Sequence, residues 1–258
     1  MNYTRILLVS IMSLFIGLSF AQTTREADHA FEHEAYFHAI DLYKKVYTKI
    51  KDKAKKAEIL FKIAECYREI ENEPQAEVWF KKAIQAQYPD PICVLHLADA
   101  LRCQEMYDEA EENYKKYQTL VPTDEHAANG IASCEEAKKW KASPTKHIVN
   151  NEVLLNTPQY DYAPSFASDD YSKLYFTSTR PGSAGEDVAG RTGQNYADVY
   201  ETQRDEKGKW SSPVPLSASI NTHQDEGFST MTADKKTMYF TRCKQEKNKY
   251  LGCHIYNN

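Results

Sequence analysis

None of the six cysteines (Cys66, Cys93, Cys103, Cys134, Cys243, Cys253) stands in a C-x-x-C pair. That absence weakens zinc-ribbon and thioredoxin-type readings. The chain also lacks a basic stripe. Its 32 Lys+Arg and 37 Asp+Glu are interspersed and sum to −5, so nothing in the charge pattern calls for nucleic acid. No G-x-S-x-G nucleophile elbow occurs. Gly182, Gly185, Gly190 and Gly193 are spaced as a polar loop, not as a phosphate-cradling G-x-G-x-x-G. His29, His33 and His38 gather in "HAFEHEAYFH", but "HEAYFH" holds one residue too many for the H-E-x-x-H zinc motif. His29 and His33 share a helix face without an evident third ligand, so a solvated face is expected rather than a metal site. Asp161, Asp169 and Asp170, with Asp225, Glu226 and Asp234, fall between strand-like runs, where Asp bonds its own backbone. No His or nucleophile recurs with them. The expectation is a protein that is not an enzyme and has no cofactor or metal.

Only one long apolar run exists. Residues 6–20, "ILLVSIMSLFIGLSF", follow Arg5 and run into Ser19-Phe20-Ala21 in the pattern of a secretory signal peptide. At 15 residues the run is short of the roughly 20 that span a bilayer. Residues 1–21 are therefore expected to be a signal peptide cleaved between Ala21 and Gln22; an uncleaved anchor is the alternative. No Cys follows the site, so the signal is not of the lipoprotein kind. The mature chain would carry no transmembrane segment, and export would permit disulfides.

Residues 22–141 read as helix, with Ala, Glu, Lys, Leu and Tyr at apolar spacings of three to four. They also repeat. "AYFHAIDLYKKVY", "PQAEVWFKKAI" and "YDEAEENYKKY" each place a small residue four before an aromatic: Ala39 and Tyr43, Ala76 and Phe80, Ala110 and Tyr114. The spacings are 76 − 39 = 37 and 110 − 76 = 34. The second is the period of the tetratricopeptide repeat (TPR), and Ala-x3-aromatic marks its second helix. The small residue lets two helices approach and the aromatic fills the groove beside it. First helices carry Leu60, Ile63, Ala64 and Tyr67, then Val94, Leu97, Ala98 and Leu101. Lys49 to Lys56 lengthens the exit from the first repeat, and His126 to Lys141 reads as a capping helix. This half resembles the TPR family over about its whole length.

Residues 142–152, a polar linker containing Pro144, are expected to separate the helices from residues 153–258, where the period becomes two. "APSFAS", "KLYFTST", "ADVYETQ" and "WSSPVPLSASI" make four short strand-like runs; "GFSTMT", "TMYFTRC" and "CHIYNN" begin a second set. Asp161 to Arg180 returns at Asp225 to Cys243 with an offset of 225 − 161 = 64. Without a gap, this places Ser165 with Ser229, Asp170 with Asp234, and Tyr175-Phe176-Thr177 with Tyr239-Phe240-Thr241. Four short strands per repeat fit a propeller blade. The stretch resembles the WD40-like repeats of TolB-type and OmpA-associated propellers. "VLLNT" from Val153 resembles "LSASINT" from Leu216, as a fourth strand lent to close a ring would. The fold class expected is α + β in separate domains: an all-α TPR solenoid, then an incomplete all-β propeller of about 1.75 blades, an N-terminal portion of something longer.

A signal peptide, TPR repeats and such a propeller together resemble the Bacteroidota envelope proteins that end in an OmpA-like domain, the PorE-like components of type IX secretion and gliding. The resemblance implies an exported periplasmic scaffold, associated with the outer membrane, that holds protein partners of the cell envelope. Peptidoglycan would be reached only through a C-terminal domain not contained in these 258 residues. An accessory propeller of an exported prolyl-oligopeptidase-like hydrolase, and a TolB-like envelope component, stand as alternatives.

The repeat register puts Glu65, Arg68 and Glu69, then His96, Asp99 and Arg102, on the concave face. Arg68 and Arg102, 34 residues apart, either offer forked donors to a partner's carboxylates or pair with neighbouring acids. Cys243 and Cys253 end and begin adjacent strand-like runs, so they form either a cross-strand disulfide or two thiols. The other four cysteines read as small helix-packing residues. The 18 tyrosines read mostly as core, among them Tyr43, Tyr67, Tyr114, Tyr175 and Tyr239.

Overall fold

The computed structural model describes residues 24–185, 188–246 and 249–258. The proposed cleavage at Ala21 and Gln22 lies outside them. The chain divides into two compact units between His147 and Ile148.

Among its described residues the first unit has seven helices that resemble a TPR solenoid: α1 (residues 24–32), α2 (Tyr36–Lys49), α3 (Lys53–Glu69), α4 (Glu73–Gln85), α5 (Ile92–Cys103), α6 (Tyr107–Leu120) and α7 (Glu125–Ala142). From α2 onward, each helix packs on its neighbour in the chain, as short connections require. Four helix ends close in one way. Glu34, Glu71, Gln87 and Glu105 adopt left-handed φ of 56–62°, and the next residue's N–H reaches back to a carbonyl five residues earlier: Ala35 to Ala30, Asn72 to Tyr67, Tyr88 to Ala83, Met106 to Leu101. These are Schellman turns, built without the usual glycine. Asp52, Asn72 and Asp124 cap the starts of α3, α4 and α7.

The Ala-x3-aromatic pairs form the core. Ala39, Tyr43, Ala76, Phe80, Ala110 and Tyr114 are fully buried. Each aromatic meets the next odd-numbered helix: Lys62 over the Tyr43 ring, His96 edge-on to Phe80, and Gly130 under Tyr114. Cys66, Cys93 and Cys134 are buried, as packing residues should be, and burial pushes the Cys93 thiol up to about 12. Cys103 departs from that expectation. It is the last residue of α5 and is exposed.

The second unit holds two antiparallel sheets in simple up-and-down order. The first is β1 (Asp161–Phe166), β2 (Lys173–Ser178), β3 (Asp198–Gln203) and β4 (Val214–Pro215); the second is β5 (Asp225–Met231), β6 (Met238–Glu246) and β7 (Lys249–Asn257). Val199 of the first sheet clusters with Ile220, Met238 and Phe240, with Tyr175 packed alongside. Tyr239 corrects the expectation that it is core: it is 43% exposed.

The copies agree, but not at one offset. Strand β1 carries a bulge between Tyr162 and Ser165, and β5 carries one between Gly227 and Thr230. The left-handed residues are Ala163 and Phe228, so the offset in this strand is 228 − 163 = 65. Ser165 therefore matches Thr230 rather than Ser229. In the partner strands Tyr175 and Tyr239 keep the offset of 64. The turn closed by Ala167 and Lys173 is one residue longer than that closed by Thr232 and Thr237, and this slip is what the ungapped sequence match conceals.

Candidate functional site

The concave-face candidates lie in a ladder of polar side-chain contacts between odd-numbered helices. Lys62 of α3 donates to Asp28 of α1 at 2.7 Å. His96 Nδ1 of α5 lies 2.6 Å from Glu65 Oε1 of α3. His126 Nε2 of α7 lies 3.2 Å from Asp99 Oδ1 of α5. The even-numbered helices brace the same acids: Tyr43 donates to Asp28 at 2.7 Å and Tyr114 to Asp99 at 2.6 Å. Burial, and then the Asp99 carboxylate, push the Tyr114 hydroxyl well above its usual range. Burial works against ionisation of Glu65, but His96 and Arg68 outweigh it and hold the carboxyl below its ordinary value.

Asp28, Lys62 and His126 were missed from sequence, although a signal existed. Each carboxylate stands eleven before its repeat's alanine (39 − 28, 76 − 65, 110 − 99), and Lys62 and His96 are 34 apart. The Lys62–Asp28 and His126–Asp99 rungs are partly exposed and worth about 0.2–1 kcal/mol each, so they set register more than stability; Glu65 of the middle rung is buried.

The two arginines differ. Arg68 donates to Glu65 Oε2 at 3.0 Å and also pairs with Glu69, so its charge is internally matched. Arg102 donates only through Nε, to the Tyr114 hydroxyl at 3.1 Å, and makes no ion pair among the described residues. Glu73 lies in the same neighbourhood; burial raises its carboxyl pKa, Arg68 opposes this and Asp99 adds to it.

The remaining acids are structural. Asp170 accepts from the Ser172 N–H and hydroxyl, and Asp234 from the Thr232 hydroxyl and the Lys236 N–H. Such turn bonding, first from Ser168 and Ser172, holds Asp170 at about 2. Asp161 and Glu226 sit in matching clasps. Asp161 accepts from Thr157 and Arg180, and Arg180 also donates to the Leu155 carbonyl at 2.6 Å. Glu226 accepts from Thr222 and Arg242, and Arg242 donates to the Ile220 carbonyl at 2.8 Å. Each guanidinium lies over two rings, Phe176 and Tyr200 or Phe240 and Tyr256. Among the described residues, no group of three or more His, Cys, Asp or Glu side chains is arranged to hold a metal. His29 and His33 stack at 4.0 Å, with His33 Nδ1 against the His29 carbonyl. Cys243 and Cys253 face each other across β6 and β7 and are joined by a disulfide.

Asp198, which sequence reading passed over, is fully buried. Oδ2 accepts from the Ala184 N–H at 2.6 Å, and Oδ1 has no partner among the described residues. Burial, with Glu226 and Asp225 adding to it against the Ala184 N–H, lifts its pKa to about 6. A folded pKa above the unfolded one favours folding below about 4, and that contribution is lost as pH rises through 6. A rise from the ordinary carboxylate value to about 6 corresponds to about 3 kcal/mol. Asp198→Asn is expected to stabilise the second unit by up to that amount at pH 7.5, and by about half at pH 5. Urea unfolding at both pH values checks it; a gain independent of pH would assign the effect elsewhere.

No family model matches the chain, and no curated protein matches it. Among solved structures, the chain is similar to the UNC-45 chaperone (17% identity over 48% of this chain, TM-score 0.43) and to the P58(IPK) TPR domain (19%, 49%, 0.42). It spans 14% and 35% of those two chains. It is also similar to the C-terminal TPR-containing domain of a Plasmodium falciparum FK506-binding protein, at 22% identity over 48% of this chain and 91% of that one, TM-score 0.42. No helix among the described residues is long and apolar enough to cross a membrane.

Proposed function

We propose that the protein is a non-enzymatic interaction scaffold of the cell envelope, exported behind residues 1–21, that holds protein partners on the odd-helix face. What carries the reading is Arg102. Its guanidinium is fixed through Nε, while its remaining N–H donors lack a carboxylate, so it is ready for a forked bond to a partner's acid. The ladder holds α1, α3, α5 and α7 in register and so pre-organises that face. The sheets support a propeller reading through their repeated bulge, turn and arginine clasp. The Leu155 and Ile220 carbonyls occupy matching places in the two clasps, but each lies in a short turn (residues 153–155 and 218–220), not in the fourth strand expected of residues 153–157. A role in a type IX secretion or gliding assembly follows from the sequence resemblance.

Arg102→Ala is expected to weaken partner capture from envelope extracts about tenfold, the size of a modest interface hot spot. Arg68→Ala, whose guanidinium is already matched by Glu65 and Glu69, should change capture less. Equal losses, or none for Arg102→Ala, would remove Arg102 as the contact.

A further inference from the structure

We propose that the lysine-rich connection from α2 to α3, with the aromatic shelf beside it, docks on the anionic phospholipid headgroups of a membrane surface. Residues 44–56 hold seven lysines and one acid, Asp52, in a chain whose net charge is −5. Asp52 is engaged as the N-cap of α3, accepting from the Lys55 N–H at 2.8 Å. Among the described residues, none of the seven lysines forms an ion pair, whereas Lys62, Lys81, Lys115 and Lys138 in the same unit do. Lys49, Lys51 and Lys53 are exposed. Lys44, Lys56 and Lys82 lie over rings instead of acids. Lys44 is 5.2 Å from the centre of Tyr67, Lys56 is 4.7 Å from Tyr47, and Lys82 is 4.1 Å from Trp79. Tyr47 and Trp79 meet edge to face at 6.2 Å.

The placement works against local stability. Lys53, Lys55 and Lys56 occupy the start of α3, where the helix dipole favours acids. By contrast, α4, α6 and α7 put Glu73, Asp108 and Glu109, and Glu125 in their first turns. Like charges crowded at the wrong helix end, where Asp52 is taken up as the N-cap and Glu58 is paired with Lys62, are a local conflict of the kind found at functional surfaces. The residue types select the ligand. Lysine is a point charge on a flexible stem and lacks the bidentate grip of arginine, which suits a diffuse layer of headgroups. Trp and Tyr are at home at headgroup depth. Bases stacking on Tyr47 or Trp79 would first have to displace the ammonium groups over these rings.

The test is co-sedimentation of the full chain with vesicles of phosphatidylcholine alone and of phosphatidylcholine doped with phosphatidylglycerol. Residues 6–20 would act alike on both, so the readout is the ratio between them. We expect a ratio well above one that falls as salt shortens the screening length. Lys51→Gln with Lys53→Gln should lower binding to the anionic vesicles about 25-fold, roughly fivefold per lysine. That variant should not lower the Tm, because it relieves repulsion at α3, so lost binding cannot be lost folding. A ratio near one, a ratio indifferent to salt or to the variant, or tighter binding to soluble polyglutamate than to the anionic vesicles would overturn the proposal. The last result would assign the surface to an acidic protein.

Discussion

Arg242→Met is expected to destabilise the second unit by about 3–5 kcal/mol, the usual cost of stripping a buried carboxylate of its cation. Glu226 has no exposed side-chain surface and Arg242 has 21%. Met retains much of the bulk against Phe240 and Tyr256 but cannot donate. Glu226 would keep only the Thr222 N–H and hydroxyl at 2.9 and 2.6 Å, and the Ile220 carbonyl would lose its donor. Arg180→Met should cost less. Asp161 would still accept from Thr157 twice and from Ser178 at 2.6 Å. The double variant Glu226→Gln, Arg242→Met should recover most of the loss, because it leaves no buried charge. Denaturant unfolding of all four proteins tests the order. Equal costs for the two arginines, or no recovery in the double variant, would show that ring stacking rather than charge holds the clasp.

The clasps also show where sequence reading fails. The two hairpins were legible because their turns need Asp170 and Asp234, and their second strands keep Tyr-Phe-Thr in step. The arginines were not, because Arg242 lies within β6 whereas Arg180 lies two residues past the end of β2. Ser178 and Arg242 are the matching residues, and Arg180 reaches the same carboxylate location from two residues further along. A one-residue change in turn length also lets Asp161 fall on Asp225 by ungapped counting, although its structural counterpart is Glu226. The helical half was easier to read, because small and aromatic residues must recur wherever two helices meet. The ladder was half visible: Glu65, Arg68, His96 and Asp99 followed from the period of the two well-matched repeats, whereas Asp28 and Lys62 belong to the rung that starts in the looser first repeat. Asp198 gave no signal, because burial of a lone carboxylate depends on the loop that covers it.

The packing rule of the helical half predicts the other large effect. A Cβ on Gly130 would lie 2.4–2.7 Å from three atoms of the Tyr114 ring, inside any tolerable contact. The ring cannot swing aside freely, because its hydroxyl is held by Asp99 at 2.6 Å and Arg102 at 3.1 Å. In an open helix Gly→Ala would gain up to about 1 kcal/mol; here overpacking should reverse the sign and cost about 1–3 kcal/mol. Tyr114→Ala, which empties the slot, should cost about 3–5 kcal/mol. The two substitutions remove each other's problem, since a methyl at 130 partly fills the space the ring leaves. The double variant should therefore be clearly more stable than the sum of the single changes allows, by an interaction of about 1 kcal/mol or more. Thermal unfolding of the four proteins completes the cycle. Additive losses would mean that α7 shifts away from α6 when Gly130 is changed, so that the close approach is not what fixes the last helix.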